Sequence, residues 1–273
     1  MNDWSDWIGR RREAGDLVTE RMVAEYRVVL TGTCGPGEVP AGFHWCLAPD
    51  LAPPEDLGRD GHPRPGLLLP KLPLPRRMWA GGEIRFFQPF ETGAAVTRTS
   101  TIADVTFKTG RSGQLGFVGV DHDYHAAGEL LLSERQNIVY REDPAPGAIR
   151  TPPPGEDWAP VEAWHALPDS TLLFRYSALT FNGHRIHYDH PYATGVEGYD
   201  GLVVHGPLQA VWMQNLAATI FGALPATFRY RGLSPLIVGH KVTIEAREAA
   251  EGLELRVRRD EDGVVTMEAS AAR

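Results

Sequence analysis

Residues 176–206, YSALTFNGHRIHYDHPYATGVEGYDGLVVHG, gather four of the ten histidines: His184, His187, His190 and His205. Asn182, Asp189 and Asp200 stand among them, and the stretch ends in His205-Gly206-Pro207, just before an apolar pattern of helical period. Imidazoles that titrate near neutrality can accept or deliver a proton. A glycine opening a helix offers a backbone N–H and the positive end of the helix dipole, which together polarise a carbonyl whose oxygen gains negative charge. Acid–base chemistry on a carbonyl compound is therefore one reading. A metal site is another, because His184-x-x-His187-x-x-His190 with Asp189 supplies imidazole and carboxylate ligands. That spacing puts three rings on one face only in a tight helical turn, and Pro191 favours an extended His190. The third reading is a set of histidines hydrogen-bonded within a buried turn. For the whole cluster abutting a helix start, proton transfer fits best.

The elements that must position this stretch follow from periodicity and breakers. Trp4, Trp7 and Ile8 at helical spacing predict a short amphipathic helix over 2–14, and Asp16 is a candidate N-cap for a helix to about Leu30. From Cys34 to Pro75 prolines and glycines break the chain into short pieces, with 49–66 reading as a long surface excursion of the kind that forms lids or binding loops. β-rich texture covers 83–89, 94–108, 115–124 and 129–140, with a turn at 108–113 joining a hairpin. A Pro-rich connector spans 143–169. Pro207 then suits the first position of a helix ending at Gly222, and strands are expected at 227–230, 241–248, 253–259 and 264–269.

A faint repeat runs through these elements. Pro89-x-x-x-Gly93 and Pro235-x-x-x-Gly239 lie 146 residues apart, and the hairpins that follow them start near Val96 and Val242, the same offset. A matched turn followed by matched strands predicts a duplicated α+β unit with the reactive stretch only in the second copy.

With 273 residues, 42% hydrophobic and a net charge of −8, the chain can bury a large core and has no basic field for nucleic acid. No stretch has the roughly 20 apolar residues needed to span a bilayer, and 1–16 lacks the apolar core of a signal peptide. Cys34 and Cys46 show neither CxxC nor zinc spacing, which fits unpaired thiols in a reducing, cytoplasmic setting.

At this point a resemblance becomes specific. Thr180-Phe-Asn182-Gly-His184-Arg185-Ile-His187-Tyr-Asp189 and Leu202-Val-Val-His205-Gly206 resemble the two signature segments of the MaoC-type hydratases. The wording FNGHRIHYD with GLVVHGPL, RRMWAGGE at 76–83 and KTGRSG at 108–113 is closer to one subgroup. Its members are the type 2 hydroxyacyl-thioester dehydratases and the mesaconyl-C4-CoA or itaconyl-CoA hydratases. The resemblance implies an α+β double hot-dog fold, two antiparallel sheets each wrapped around a central helix. Residues 1–142 would form a pocket-shaping unit with a degenerate motif, 143–169 the linker, and 170–273 the unit carrying the motif. It implies reversible hydration of a 2-enoyl-CoA thioester, with a short branched dicarboxylic acyl group as the favoured substrate. No cofactor is needed, since CoA is part of the substrate. Hydroxyacyl-thioester dehydration in fatty acid metabolism and non-catalytic acyl-CoA binding are the alternatives. A metal-dependent oxygenase is a rival class. No nucleic acid, membrane or metal partner is expected, and a homodimer is compatible with the pattern.

The resemblance assigns proton transfer to His187 and the carbonyl-binding amide to Gly206. The family's catalytic aspartate falls on Asn182, whose amide cannot act as a base. Asn182 is expected to position water, with His184 or a substrate carboxylate assisting, and Asp189 to orient the turn. His184 and His205 are expected at the substrate. Arg185, where the family has proline, is the candidate for a substrate carboxylate. Arg229, Arg231 and Lys241 are candidates for CoA phosphates, with Arg76, Arg77, Lys108 and Arg111 from the other half.

Overall fold

The computed structural model describes residues 4–110, 113–143 and 152–273. The first half runs β1 (Arg11–Leu17), α1 (Glu20–Val29), β2 (Arg76–Phe86), β3 (Ala95–Gly110), β4 (Gly113–Ala126) and β5 (Glu129–Arg141). The second runs β6 (Glu162–Ala166), α2 (Ser170–Thr180), α3 (His190–Gly195), α4 (Gly206–Phe221), β7 (Thr227–Gly232), β8 (Val242–Ala249), β9 (Gly252–Arg259) and β10 (Val265–Ala272).

All ten strands form one sheet in the order β1-β3-β4-β5-β2-β7-β10-β9-β8-β6. Read inward from its edge, each half repeats the other: its first strand at the edge, then its third, fourth and fifth, with its second at the seam. The two copies join through the antiparallel pairing of β2 with β7, Gly81 opposite Arg231 and Arg85 opposite Thr227. The Pro-x-x-x-Gly turns occupy equivalent places, since Gly93 and Gly239 both take a left-handed φ, of 88° and 92°. Gly93 N–H bonds Val18 O at 2.7 Å and Gly239 N–H bonds Pro168 O at 3.0 Å, each just beyond the first strand of its half.

The second half wraps around α4. Every residue from Leu208 to Ala218 is buried, so α4 is enclosed on all sides rather than on one stripe. Of its buried polar residues, Gln209 accepts from Thr266 Oγ1 at 2.6 Å, while both polar side-chain atoms of Gln214 lack a protein partner. Asn215 accepts from Gly35 N–H at 2.8 Å and donates to Ala41 O at 2.9 Å, fastening the first half's irregular segment to this helix. In the first half that place is taken by α1 and the broken chain from 30 to 75, which includes 3₁₀ turns at Phe43–Cys46 and Pro54–Asp56.

Several local expectations are corrected. The N-terminal helix expected over 2–14 is a one-turn 3₁₀ helix at Ser5–Trp7 followed by β1, whose exposure alternates residue by residue; residues 2 and 3 lie outside the described residues. Asp16 belongs to β1, and its Oδ2 accepts from Ala48 N–H at 2.7 Å, while Thr19 caps α1 through Met22 N–H. The connector expected over 143–169 contains β6, which pairs with β8, so the second unit begins before residue 170; residues 144–151 lie outside the described residues. His190 is the first residue of α3, with Pro191 at a position that needs no N–H and Asp189 as N-cap.

Candidate active site

A cavity of about 740 Å³ opens where the start of α4, the start of β2, the 182–187 turn and the 62–69 loop meet. His187, Asn182, His184 and Gly206 all line it. His187 ends a 3₁₀ turn over Arg185–His187. That turn is tied reciprocally to the chain leading into α4: Val203 N–H donates to Ile186 O at 3.0 Å, and His187 Nδ1 lies 2.7 Å from Val203 O. A carbonyl only accepts, so Nδ1 carries the proton and Nε2 is left as the basic nitrogen. The chain leading to α4 is held in turn by the second repeat turn, through Val204 N–H to Leu236 O at 2.8 Å and Val238 N–H to Leu202 O at 2.9 Å.

Burial pushes the His187 pKa down to about 4, although its bond to Val203 O acts the other way. The ring is neutral near pH 7 and available as a base. His205 lies behind it, ring stacked on ring at 3.5 Å between centroids, fully buried and bonded through Nε2 to Ser177 Oγ at 2.8 Å. His184 meets His187 edge to face at 5.3 Å and His62 at 4.6 Å. Burial lowers the pKa of His62, His184 and His205 too. Among the described residues no group of three His, Cys, Asp or Glu is arranged to hold a metal ion.

Gly206 opens α4 as the residue after His205, and no side chain caps this end. A Cβ at Gly206 would meet Trp79 Cε3 at 2.8 Å, so the helix start and the indole touch only because the residue is glycine. Trp79 stacks on Tyr230 at 4.6 Å, and the Tyr230 hydroxyl donates to the buried Glu134 at 2.7 Å. Burial would raise the Glu134 pKa, but His44 at 3.6 Å, His122 and the Tyr230 hydroxyl outweigh it, and the pKa falls to about 2. A register shift between Trp79 and Gly81 bends β2 at this point.

Other candidate residues sit elsewhere. Arg185 lies outside the cavity lining: its guanidinium bonds Asp189 at 2.7 and 3.0 Å, and the Tyr192 ring lies beneath it. Asp189 also caps α3 through Tyr192 N–H. Arg229 and Arg231 occupy the outward positions of β7, alternating with buried Phe228 and Tyr230, and pair with Glu83 and Glu268. His205 buttresses His187 and does not line the cavity. Lys241 lies on the surface near Asp260, and Arg111 lies outside the described residues. Arg76 and Arg77 do line the cavity.

Sequence reasoning misses His62, Arg64, Trp79 and Arg141 as cavity walls. The first two come from the 49–66 excursion, whose position here is fixed by Arg185 N–H donating to Asp60 O at 2.9 Å. Arg77 joins the same knot through Asp60 at 3.0 Å and Pro63 O at 2.8 Å.

Comparison with known proteins converges on these features. The profile of the hydroxyacyl-thioester dehydratase type 2 family matches residues 42–238. The chain is 38% identical to a mesaconyl-C(4)-CoA hydratase of Chloroflexus aurantiacus, over 98% of this chain and 97% of that protein. It is 27% identical to the mitochondrial hydroxyacyl-thioester dehydratase type 2 of Schizosaccharomyces pombe, over 74% and 76% of the two chains. Among solved structures, HtdX of Mycobacterium tuberculosis superposes with a TM-score of 0.67 at 17% identity, covering 96% of this chain and 99% of that one. A second M. tuberculosis protein, described as a double hotdog fold, superposes at 0.57 with 14% identity over 97% and 96%. Mirrored half-sheets, an enclosed α4 and a family profile that spans both halves agree: the chain is a double hot-dog protein of the hydroxyacyl-thioester dehydratase type 2 family.

Proposed function

We propose that this enzyme catalyses the reversible hydration of a 2-enoyl-CoA thioester with a short, branched, dicarboxylic acyl group, mesaconyl-C4-CoA being the first candidate. The observation that carries the reading is a neutral, proton-accepting His187 Nε2 in the same cavity as the uncapped amide of Gly206. The similarity to the Chloroflexus aurantiacus hydratase along nearly the whole chain supports the choice of acyl group.

The thioester oxygen accepts from Gly206 N–H at the positive end of α4. His187 Nε2 removes a proton from water as the water oxygen bonds to the β-carbon, and the double-bond electrons move through the α-carbon onto the thioester oxygen. The resulting imidazolium sits where burial disfavours charge, so it returns its proton to the α-carbon. Asn182 has no titratable proton to contribute, and His187 serves both steps. This chemistry calls for no cofactor beyond the CoA of the substrate. Two unpaired cysteines, one of them fully buried, fit a reducing compartment, and we place the enzyme in the cytoplasm.

Loss of conjugated-thioester absorbance with mesaconyl-C4-CoA and crotonyl-CoA, and chromatographic detection of the hydrated product from itaconyl-CoA, test the reading. His187→Ala should lower kcat by roughly 10²- to 10⁴-fold, the usual worth of a general base. Turnover of none of the esters would refute the hydratase reading, and full activity in His187→Ala would refute the mechanism.

A further inference from the structure

The wall of the cavity that holds His187 carries more arginines than carboxylates. Among its described lining residues are five arginines and only two carboxylates, Asp50 and Glu197. Both carboxylates are already ion-paired, Asp50 with Arg98 at 2.6 Å and Glu197 with Arg76 at 2.9 Å. The arginines are paired as well, Arg12 with Asp50, Arg64 with Asp56, Arg76 with Glu197 and Arg77 with Asp60; the charge of Arg77 reaches His62 and His184, and at His184 the opposing charge of Asp60 acts beside it.

Asn182 adds uncharged donors to the same wall. Its Oδ1 accepts from His184 N–H at 2.9 Å, which fixes which end of the amide is oxygen. The NH₂ group is therefore the free end of a side chain that lines the cavity beside His187. The two N–H donors of this group have no partner among the bonds of the described residues. The rings around it, His62, His184 and His187, are held neutral by burial, so they impose no cationic competitor at this point.

Water adds at the β-carbon of an enoyl thioester, so whatever that carbon carries lies within about two bonds of the oxygen that His187 activates. In mesaconyl-C4-CoA the β-carbon carries a methyl and a carboxylate; in crotonyl-CoA it carries a methyl and a hydrogen. Resting on the hydratase reading above, we propose that Asn182 is the specificity-determining residue: its NH₂ group donates to a carboxylate borne on the β-carbon. A carboxylate at position 182 would instead face the substrate's own charge. The amide replaces repulsion by a hydrogen bond to a charged acceptor, the stronger class of such bonds.

The test is the ratio of kcat/KM for mesaconyl-C4-CoA to that for crotonyl-CoA in the wild type, Asn182→Asp and Asn182→Ser. Both substitutions keep an oxygen that can accept from His184 N–H, and circular dichroism with thermal melting checks that the fold persists. The ratio should fall on the order of 10- to 100-fold in Asn182→Asp, and by less in Asn182→Ser, which removes the donors without adding charge. A ratio unchanged in both variants overturns the proposal, as does a wild type that prefers crotonyl-CoA.

Binding supplies a readout that needs no turnover. Succinyl-CoA and butyryl-CoA differ at the β-carbon only in carboxylate against methyl. Calorimetry should show the wild type favouring succinyl-CoA and Asn182→Asp losing that preference; equal preference in the two proteins overturns the proposal. Failure of the wild type to hydrate either enoyl ester would sink the hydratase reading, and the calorimetric arm separates that failure from failure of the Asn182 assignment.

Discussion

At the scale of single residues the site depends on keeping histidines uncharged. An unfolded histidine titrates near 6.5, whereas His187 in the fold is pushed down to about 4. Between these values the unfolded chain binds a proton that the native protein refuses. The stability tied to His187 is therefore complete above pH 6.5 and is lost as pH falls toward 4. The size is about 3 kcal/mol for this residue alone, and burial of His184 and His205 acts in the same direction. Thermal unfolding midpoints at fixed ionic strength should fall steadily from pH 7 to pH 4.5. A flat profile would contradict the neutral, buried imidazole on which the mechanism rests.

Some residue placements are legible in the amino-acid sequence alone. His187, Asn182 and Gly206 belong to short contiguous segments whose local turns bring them to one cavity. Arg185 does not reach the substrate cavity, and the sequence holds the reason: Asp189 stands four residues on, a spacing that favours the ion pair it makes. Arg229 and Arg231 carry a signal as well, since alternation with Phe228 and Tyr230 turns them outward on a half-buried strand.

At the scale of elements, the candidate site is the meeting of the 182–187 turn with a loop more than a hundred residues away in sequence. Gly61 has a left-handed φ of 85°, and a Cβ there would run into Gly183 O. Gly61→Ala thus combines backbone strain with a clash against backbone that has no side chain to yield. It should cost about 1–3 kcal/mol of stability and lower kcat/KM more than it lowers secondary-structure content, because it separates His62 and Arg77 from the catalytic turn. Denaturant melts and kinetics on the same preparation check both effects. Loops of this kind are legible as loops from their prolines and glycines. Where they dock depends on single close contacts that carry no periodic signal, so His62 is invisible to sequence reasoning. The start of β1 misleads for a different reason: its alternation is hidden among charged residues, and the two tryptophans before it imitate a helical stripe.

At the scale of the whole molecule, duplication is visible in one offset shared by a turn and a hairpin, while the joining of both copies into one sheet is not. Backbone pairing across the seam leaves no mark on side-chain pattern. The pairing of β2 with β7 and the Asn215 bonds to Gly35 and Ala41 make each half incomplete alone. Residues 1–142 and 170–273 produced as separate chains should each lack cooperative thermal unfolding, and 170–273 also lacks β6. A sharp transition in either fragment by circular dichroism would show that the seam is dispensable.

The mirrored order of the sheet also bears on how many ligands the protein can hold. In chain order the 3₁₀ turn at Phe43–Cys46 stands where Arg185–His187 stands in the second copy, and it too carries a histidine. Here the ring of His44 is 1% exposed, beside Glu134, with Trp45 filling the space in front. Room for a second thioester has been exchanged for a solid wall behind the first. Titration with a tight-binding acyl-CoA should saturate at one equivalent per chain, and two equivalents would mean that the packed copy opens.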